Sequence, residues 1–112
     1  MNKNILVLPG DGIGQEVTAS ATKVLEFLTE KYSLDFSVTS MDVGGTAYDQ
    51  YGSPLPEEVL NSAKEADAIL FGAVGGPKWD NLDWDVRPEN ALLTLRKELN
   101  LFANLRPAFL FN

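Results

Sequence analysis

A chain of 112 residues with 45% apolar and 22% charged residues, nine Gly and six Pro, has the composition of a soluble globular protein and not of a disordered or fibrous one. Its net charge of −7 argues against a nucleic-acid or anionic-membrane surface, since both need clustered Lys and Arg. With no Cys and no His, disulfides, a serine triad, a cysteine–histidine pair and histidine-ligated metals are excluded within the chain.

Asn4 to Leu8 is a short apolar run closed by Pro9-Gly10, which suits a buried parallel strand. It is too short for a signal peptide or a membrane span, so a cytoplasmic protein is expected. From Gly14 onward, Val17, Ala21, Val24, Leu25 and Leu28 recur at the spacing of an amphipathic helix, which should bury that stripe. Asp35 to Val43 reads as a second strand ended by Gly44-Gly45, with a helical turn near Ala47 to Tyr51. Pro56 suits the first turn of a helix whose apolar stripe is Val59, Leu60 and Ala63. Ala68 to Val74 is a third strand, Arg87 to Leu99 a third main helix, and Leu105 to Phe111 a fourth strand interrupted by Pro107. Strands alternating with helices predict an α/β fold with helices packed on a largely parallel sheet. The apolar run Ala108 to Phe111 reaches the last residue but one, so its neighbours are expected outside the chain. Residues 1–112 therefore read as a fragment.

The charge is uneven. Residues 1–77 hold four Lys and eleven Asp or Glu, whereas residues 78–112 hold five basic and five acidic residues, so an anion is better received in the last third. A solvated acidic face is the simpler account of charge taken alone.

Pro9-Gly10-Asp11-Gly12-Ile13-Gly14 joins the first strand to the first helix. Three glycines permit a tight turn and close approach to a ligand, and the helix N-terminus beyond them favours an anion. The dinucleotide fingerprint G-x-G-x-x-G would need Gly at position 15, where this chain has Gln15, and Asp42 comes too late for its ribose-binding acid, so a standard Rossmann domain is not supported. A purely structural turn and a ligand contact remain equally open.

The helix Arg87 to Leu99 has two faces. At about 100° per residue from Leu92, Leu95 and Leu99 fall near −60° and −20°, a stripe expected to face the core. Glu89, Leu93 and Arg96 fall near 60°, 100° and 40° on the same wheel, a mixed face that offers about one carboxylate, one apolar surface and one cation. A merely solvated face explains that arrangement as well.

Four runs, LPGDGIGQEV, FGAVGGPKWD, RPENALLTLRKE and LFANLRPA, occur in the order and register of the 3-isopropylmalate dehydrogenase family, which the chain resembles over nearly its whole length. The LLTLRK version is more similar to isopropylmalate enzymes than to their isocitrate relatives. Gln15 stands where many members have Pro, and Ala73 where many have Ser.

The resemblance implies the family's own α/β fold, with residues 1–112 the N-terminal segment of a larger two-domain subunit and the last strand continuing into the second domain. It implies NAD-dependent oxidation and decarboxylation of 3-isopropylmalate to 2-oxoisocaproate in leucine synthesis, assisted by Mg or Mn. It implies that Arg96 and Arg106 bind the two carboxylates of the substrate, a task suited to planar guanidinium groups, and that Leu92 and Leu93 line the pocket for its isopropyl group. It also implies a cofactor-side loop from Gly76 to Glu89, with Gly76, Pro77, Lys78, Trp79, Glu89 and the earlier Ile13 on the cofactor side. The family's metal-binding Asp residues and its proton-handling Tyr and Lys fall later than this sequence. Tyr32, Tyr48, Tyr51, Lys78 and Lys97 do not match them, so no catalytic or metal-ligating residue is assigned. Members are usually homodimers. The alternatives are a sister enzyme for isocitrate, homoisocitrate or tartrate, a non-catalytic subunit of the same fold, and a small α/β binding module complete at this length.

Overall fold

The computed structural model describes residues 1–112. Its centre is β1 (Lys3–Gly10), whose alternating side chains are apolar on both faces: Leu6, Val7 and Leu8 are all buried. Both edges of β1 are paired in parallel, Leu6 standing opposite Thr39 of β2 (Phe36–Ser40) and Ile69 of β3 (Ala68–Ala73). The three-stranded sheet therefore has the order β2-β1-β3. Parallel strands need crossovers. The first is α1 (Ile13–Lys31), the second the pair α2 (Gly45–Tyr51) and α3 (Glu57–Glu65), and α4 (Pro88–Glu98) follows β3.

Leu6 and Leu8 project to one face of the sheet, where they form the core with Val43, Val59 and Ala63 and with Ala91 and Leu95 of α4. The termini of these helices match their dipoles, with Glu57 and Glu58 opening α3 and Glu89 opening α4, while Arg96 and Lys97 close α4. Pro88 is the first residue of α4, where a missing N–H costs nothing. Pro56 does not enter the first turn of α3 but stands immediately before it as an extended cap. The core stripe of α4 is Pro88, Ala91 and Leu95, with Leu99 packed against the cluster. Leu92 lies half-buried at its margin.

Two strand expectations are corrected. The second strand ends at Ser40, not Val43, because after Met41 N–H donates to Val7 the chain turns inward and buries Val43 in the core. No strand forms over Leu105 to Phe111: residues 100–112 have no regular structure beyond the turn that closes α4. A strand exists only against a neighbour, and Pro107 lacks a ladder donor. Here Leu105, Phe109, Leu110 and Phe111 are 80–95% exposed.

On the other face α1 buries only Gly14 and Thr18. Ala21 and Leu25 are half-buried against the sheet, whereas Val17, Val24 and Leu28 stay exposed, contrary to the burial expected of the whole stripe. The stripe is wider than three strands can cover, and β3 is an edge. The excess shows in the surface, 7850 Å² against about 6100 Å² expected from size scaling for a compact monomer of this mass. No helix is long and apolar enough to cross a membrane.

Candidate functional site

Because all three strands run parallel, their carboxyl ends open on one edge, the place where α/β sheets form ligand crevices. The glycine loop after β1, the turn into α2 and the loop after β3 meet there, and a buried carboxylate fastens them together. Asp11, 2% exposed, accepts hydrogen bonds at Oδ2 from the Gly45 N–H (2.7 Å) and the Gly75 N–H (2.9 Å). Its Oδ1 accepts from the Thr46 N–H (2.7 Å) and the Thr46 hydroxyl (2.8 Å). The Asp11 N–H itself donates to Ala73 O at 2.7 Å. Four donors on one carboxylate satisfy it fully, as burial of a charge requires.

The glycine loop is thus largely a structural joint. A Cβ at Gly10 would stand 1.9 Å from Ala73 O, so only glycine lets β1 pass so close to the end of β3. At the start of α1, Gly14 N–H bonds to Asp11 O, Gln15 N–H to Gly12 O and the Gln15 amide to Gly10 O. These bonds consume donors that a phosphate would need, which fits the failed dinucleotide fingerprint. Ile13 is the exception: it is 62% exposed and free to touch a ligand at this edge.

The loop after β3 folds back onto α2. A single turn of 3₁₀ helix, Pro77–Trp79, brings the Lys78 ammonium to Asp49 Oδ2 at 2.5 Å and the Trp79 indole N–H to Asp49 Oδ1 at 3.1 Å. The Lys78 hydrogen bond, then that of Trp79, holds the Asp49 carboxyl below its ordinary range. The Trp79 ring lies on bare backbone, since a Cβ at Gly45 would come within 2.2 Å of it. Lys78 and Trp79 therefore spend their polar groups on α2, while Gly76 and Pro77 keep their backbone at the crevice.

Glu89, in the first turn of α4, comes to the same loop. A Cβ at Gly75 would meet its Oε1 at 2.6 Å, and the carboxylate, exposed, forms no hydrogen bond or ion pair within the chain. The intervening segment is held by a 3₁₀ turn at Trp84–Val86 and by bonds from Arg87 Nε to Leu82 O and Asn90 Nδ2 to Asp85 O. Leu93 and Arg96 share the outer face of α4, Leu93 44% exposed and Arg96 beside a depression it forms with Leu101 to Leu105. Arg106 lies outside that depression in the exposed tail, donating from Nε to Asn104. Glu89, Gly76 and Pro77 are thus gathered with Ile13 at one edge, while Arg96 lines the depression on the outer side of α4 and Arg106 directly follows Leu105, the last residue of that lining. No group of three or more Asp or Glu is arranged to hold a metal.

Sequence reading did not single out Asp11, Gly45, Thr46 or Asp49. Neither acid carried a local signal, since the donors to Asp11 stand 34 to 64 residues away and those to Asp49 stand 29 and 30 residues away.

The family model for isocitrate/isopropylmalate dehydrogenase matches residues 4–112. Similar proteins include a 3-isopropylmalate dehydrogenase of Hydrogenovibrio crunogenus, 62% identical over 99% of this chain and 31% of that protein, and one of Pseudomonas fluorescens, 57% identical with the same coverage. The chain thus spans about 31% of the length of these curated relatives. Among solved structures it is similar to an apo β-decarboxylating dehydrogenase from Thermococcus kodakarensis, with TM-score 0.69, 37% identity, and coverage of 89% of this chain and 27% of that one. It is also similar to an isocitrate dehydrogenase from Methylococcus capsulatus, with TM-score 0.60, 28% identity, and coverage of 88% and 26%.

Proposed function

The chain belongs to the isocitrate/isopropylmalate dehydrogenase family, and from that premise we propose that residues 1–112 are the N-terminal part of a cytoplasmic, homodimeric 3-isopropylmalate dehydrogenase of leucine synthesis. The observation that carries the reading is the 62% identity to a relative of that name across 99% of the chain. The apolar surface left bare on α1 and the tail argues against a self-contained binding module.

The residues at the crevice suit the proposed ligands. Glu89 has an unpaired carboxylate able to accept from a ribose hydroxyl, Ile13 supplies apolar surface, and Gly76 and Pro77 approach with backbone alone. When bound, NAD accepts hydride from the substrate's 2-hydroxyl carbon and a divalent Mg or Mn ion withdraws electrons from the carbonyl. This segment's share is binding and orientation. Arg96 and Arg106 hold the two carboxylates, and Leu93, with Leu92 behind it, meets the isopropyl group. The metal ligands and proton-transfer residues belong to the rest of the subunit, so residues 1–112 alone oxidise nothing.

The test is the initial rate of NAD reduction by the full-length subunit with Mg²⁺ and 3-isopropylmalate, isocitrate or tartrate. Preference for isopropylmalate is expected. Preference for another acid makes it a sister enzyme, and no turnover with any makes it a non-catalytic subunit.

A further inference from the structure

We propose that α2 is the platform that sets the cofactor-side loop in place, with Asp49 as its positioning residue; the proposal rests on the reading of Gly76 to Glu89 as the NAD-side loop. Asp49 has no place in the chemistry described above, yet the loop makes its side-chain attachments to this one short helix. Its first hold is electrostatic, Lys78 Nζ on Asp49 Oδ2 and Trp79 Nε1 on Oδ1, with the same ammonium 5.5 Å from the Trp79 ring centroid. The second is steric, the Trp79 ring seated on Gly45, where any side chain would collide with it. The third is backbone, the Gly45 and Gly75 N–H groups sharing Asp11 Oδ2.

These holds act on three successive parts of the loop: Gly75 at its root, Trp79 at its far side, and Lys78 between. With both ends fixed, the backbone of Gly76 and Pro77 has few conformations left. A ligand that binds it then loses little of its binding free energy to ordering the loop. The side chains of Lys78 and Trp79 thus act at one remove, as anchors that turn away from the cofactor. Removing Asp49 frees the loop without touching Glu89 or Ile13, so cofactor affinity should fall while substrate affinity stays.

The experiment measures the dissociation constant for NADH in the full-length subunit by energy transfer from tryptophan, together with separate KM values for NAD and isopropylmalate. Asp49→Ala should weaken NADH binding and raise KM for NAD about two- to fivefold, the scale of an exposed ion pair with one added hydrogen bond, with KM for isopropylmalate and melting temperature unchanged. Asp49→Asn, which keeps an acceptor for one partner, should recover part of the loss. Gly45→Ala, which displaces the Trp79 ring without altering charge, should act in the same direction. Lys3→Ala breaks a comparable exposed pair with Asp67 at the opposite end of β1 and should leave NADH binding alone. The proposal is overturned if Asp49→Ala and Gly45→Ala bind NADH as the parent does, or if both lower the melting temperature and weaken both ligands alike. A parent protein that binds no NADH at all overturns the NAD reading and this proposal with it.

Discussion

Replacing Asp11 by Asn should loosen the crevice edge before anything else in the fold. Asn keeps the shape but turns one acceptor into a donor, so two of the four donors now converging on Asp11 face an N–H₂ group. The least costly arrangement points that group at Thr46, whose hydroxyl can rotate and accept, leaving the Thr46 N–H as an orphan in a site that is 2% exposed. One buried orphan donor costs about 1–3 kcal/mol, and the loss of charge on the three remaining bonds brings the total to about 3 kcal/mol. At about 1.4 kcal/mol per decade, the backbone N–H groups of Gly45, Thr46 and Gly75 should exchange with solvent roughly a hundredfold faster. Hydrogen exchange followed by mass spectrometry on peptides covering residues 42–50 and 72–79 reads this directly, with β1 as internal reference. Unchanged exchange in both peptides would show that the carboxylate does not hold the three loops together.

Arg96→Leu or Arg106→Leu in the full-length subunit should lower kcat/KM for isopropylmalate by about one to two decades, the scale of a lost charged hydrogen bond; an unchanged value makes that arginine a surface residue. Leu93→Ser should narrow the ratio of kcat/KM for isopropylmalate over isocitrate, because an apolar wall attracts the isopropyl group and rejects a carboxymethyl group stripped of water; a fixed ratio removes Leu93 from the side-chain pocket. The Asp49 carboxyl titrates below its ordinary 3.8, so its contribution is fully present above that value and is lost as pH falls through the depressed one. The Trp79 indole N–H resonance should therefore hold steady from neutrality down to that value and shift only below it, and a transition near neutrality would contradict the pairing with Lys78.

The sheet and its main helices were legible because each is carried by a local pattern. The run Ile5 to Leu8 has no polar face, as a central parallel strand requires, and Leu95 and Leu99 stand at helical spacing, although the structure places the buried stripe on Pro88, Ala91 and Leu95. What was illegible depends on neighbours. Residues 105–111 have strand composition but no strand to pair with, and Val17, Val24 and Leu28 complete an apolar stripe over a sheet too narrow to cover it. At the crevice edge, Glu89 was expected from the resemblance and the helix wheel and Ile13 from the resemblance alone, while the hub at Asp11 and the anchor at Asp49 were not singled out. Asp49 meets Lys78 and Trp79 across 29 and 30 residues, a pairing that no spacing announces.

The most direct test of the central claim is substrate-dependent NADH formation by the purified full-length subunit with Mg²⁺. Isopropylmalate should support steady turnover at a kcat/KM well above that for isocitrate, and residues 1–112 alone should support none. Turnover that favours isocitrate, or its absence with every 2-hydroxy diacid in a protein that is folded and binds NADH, would contradict the assignment.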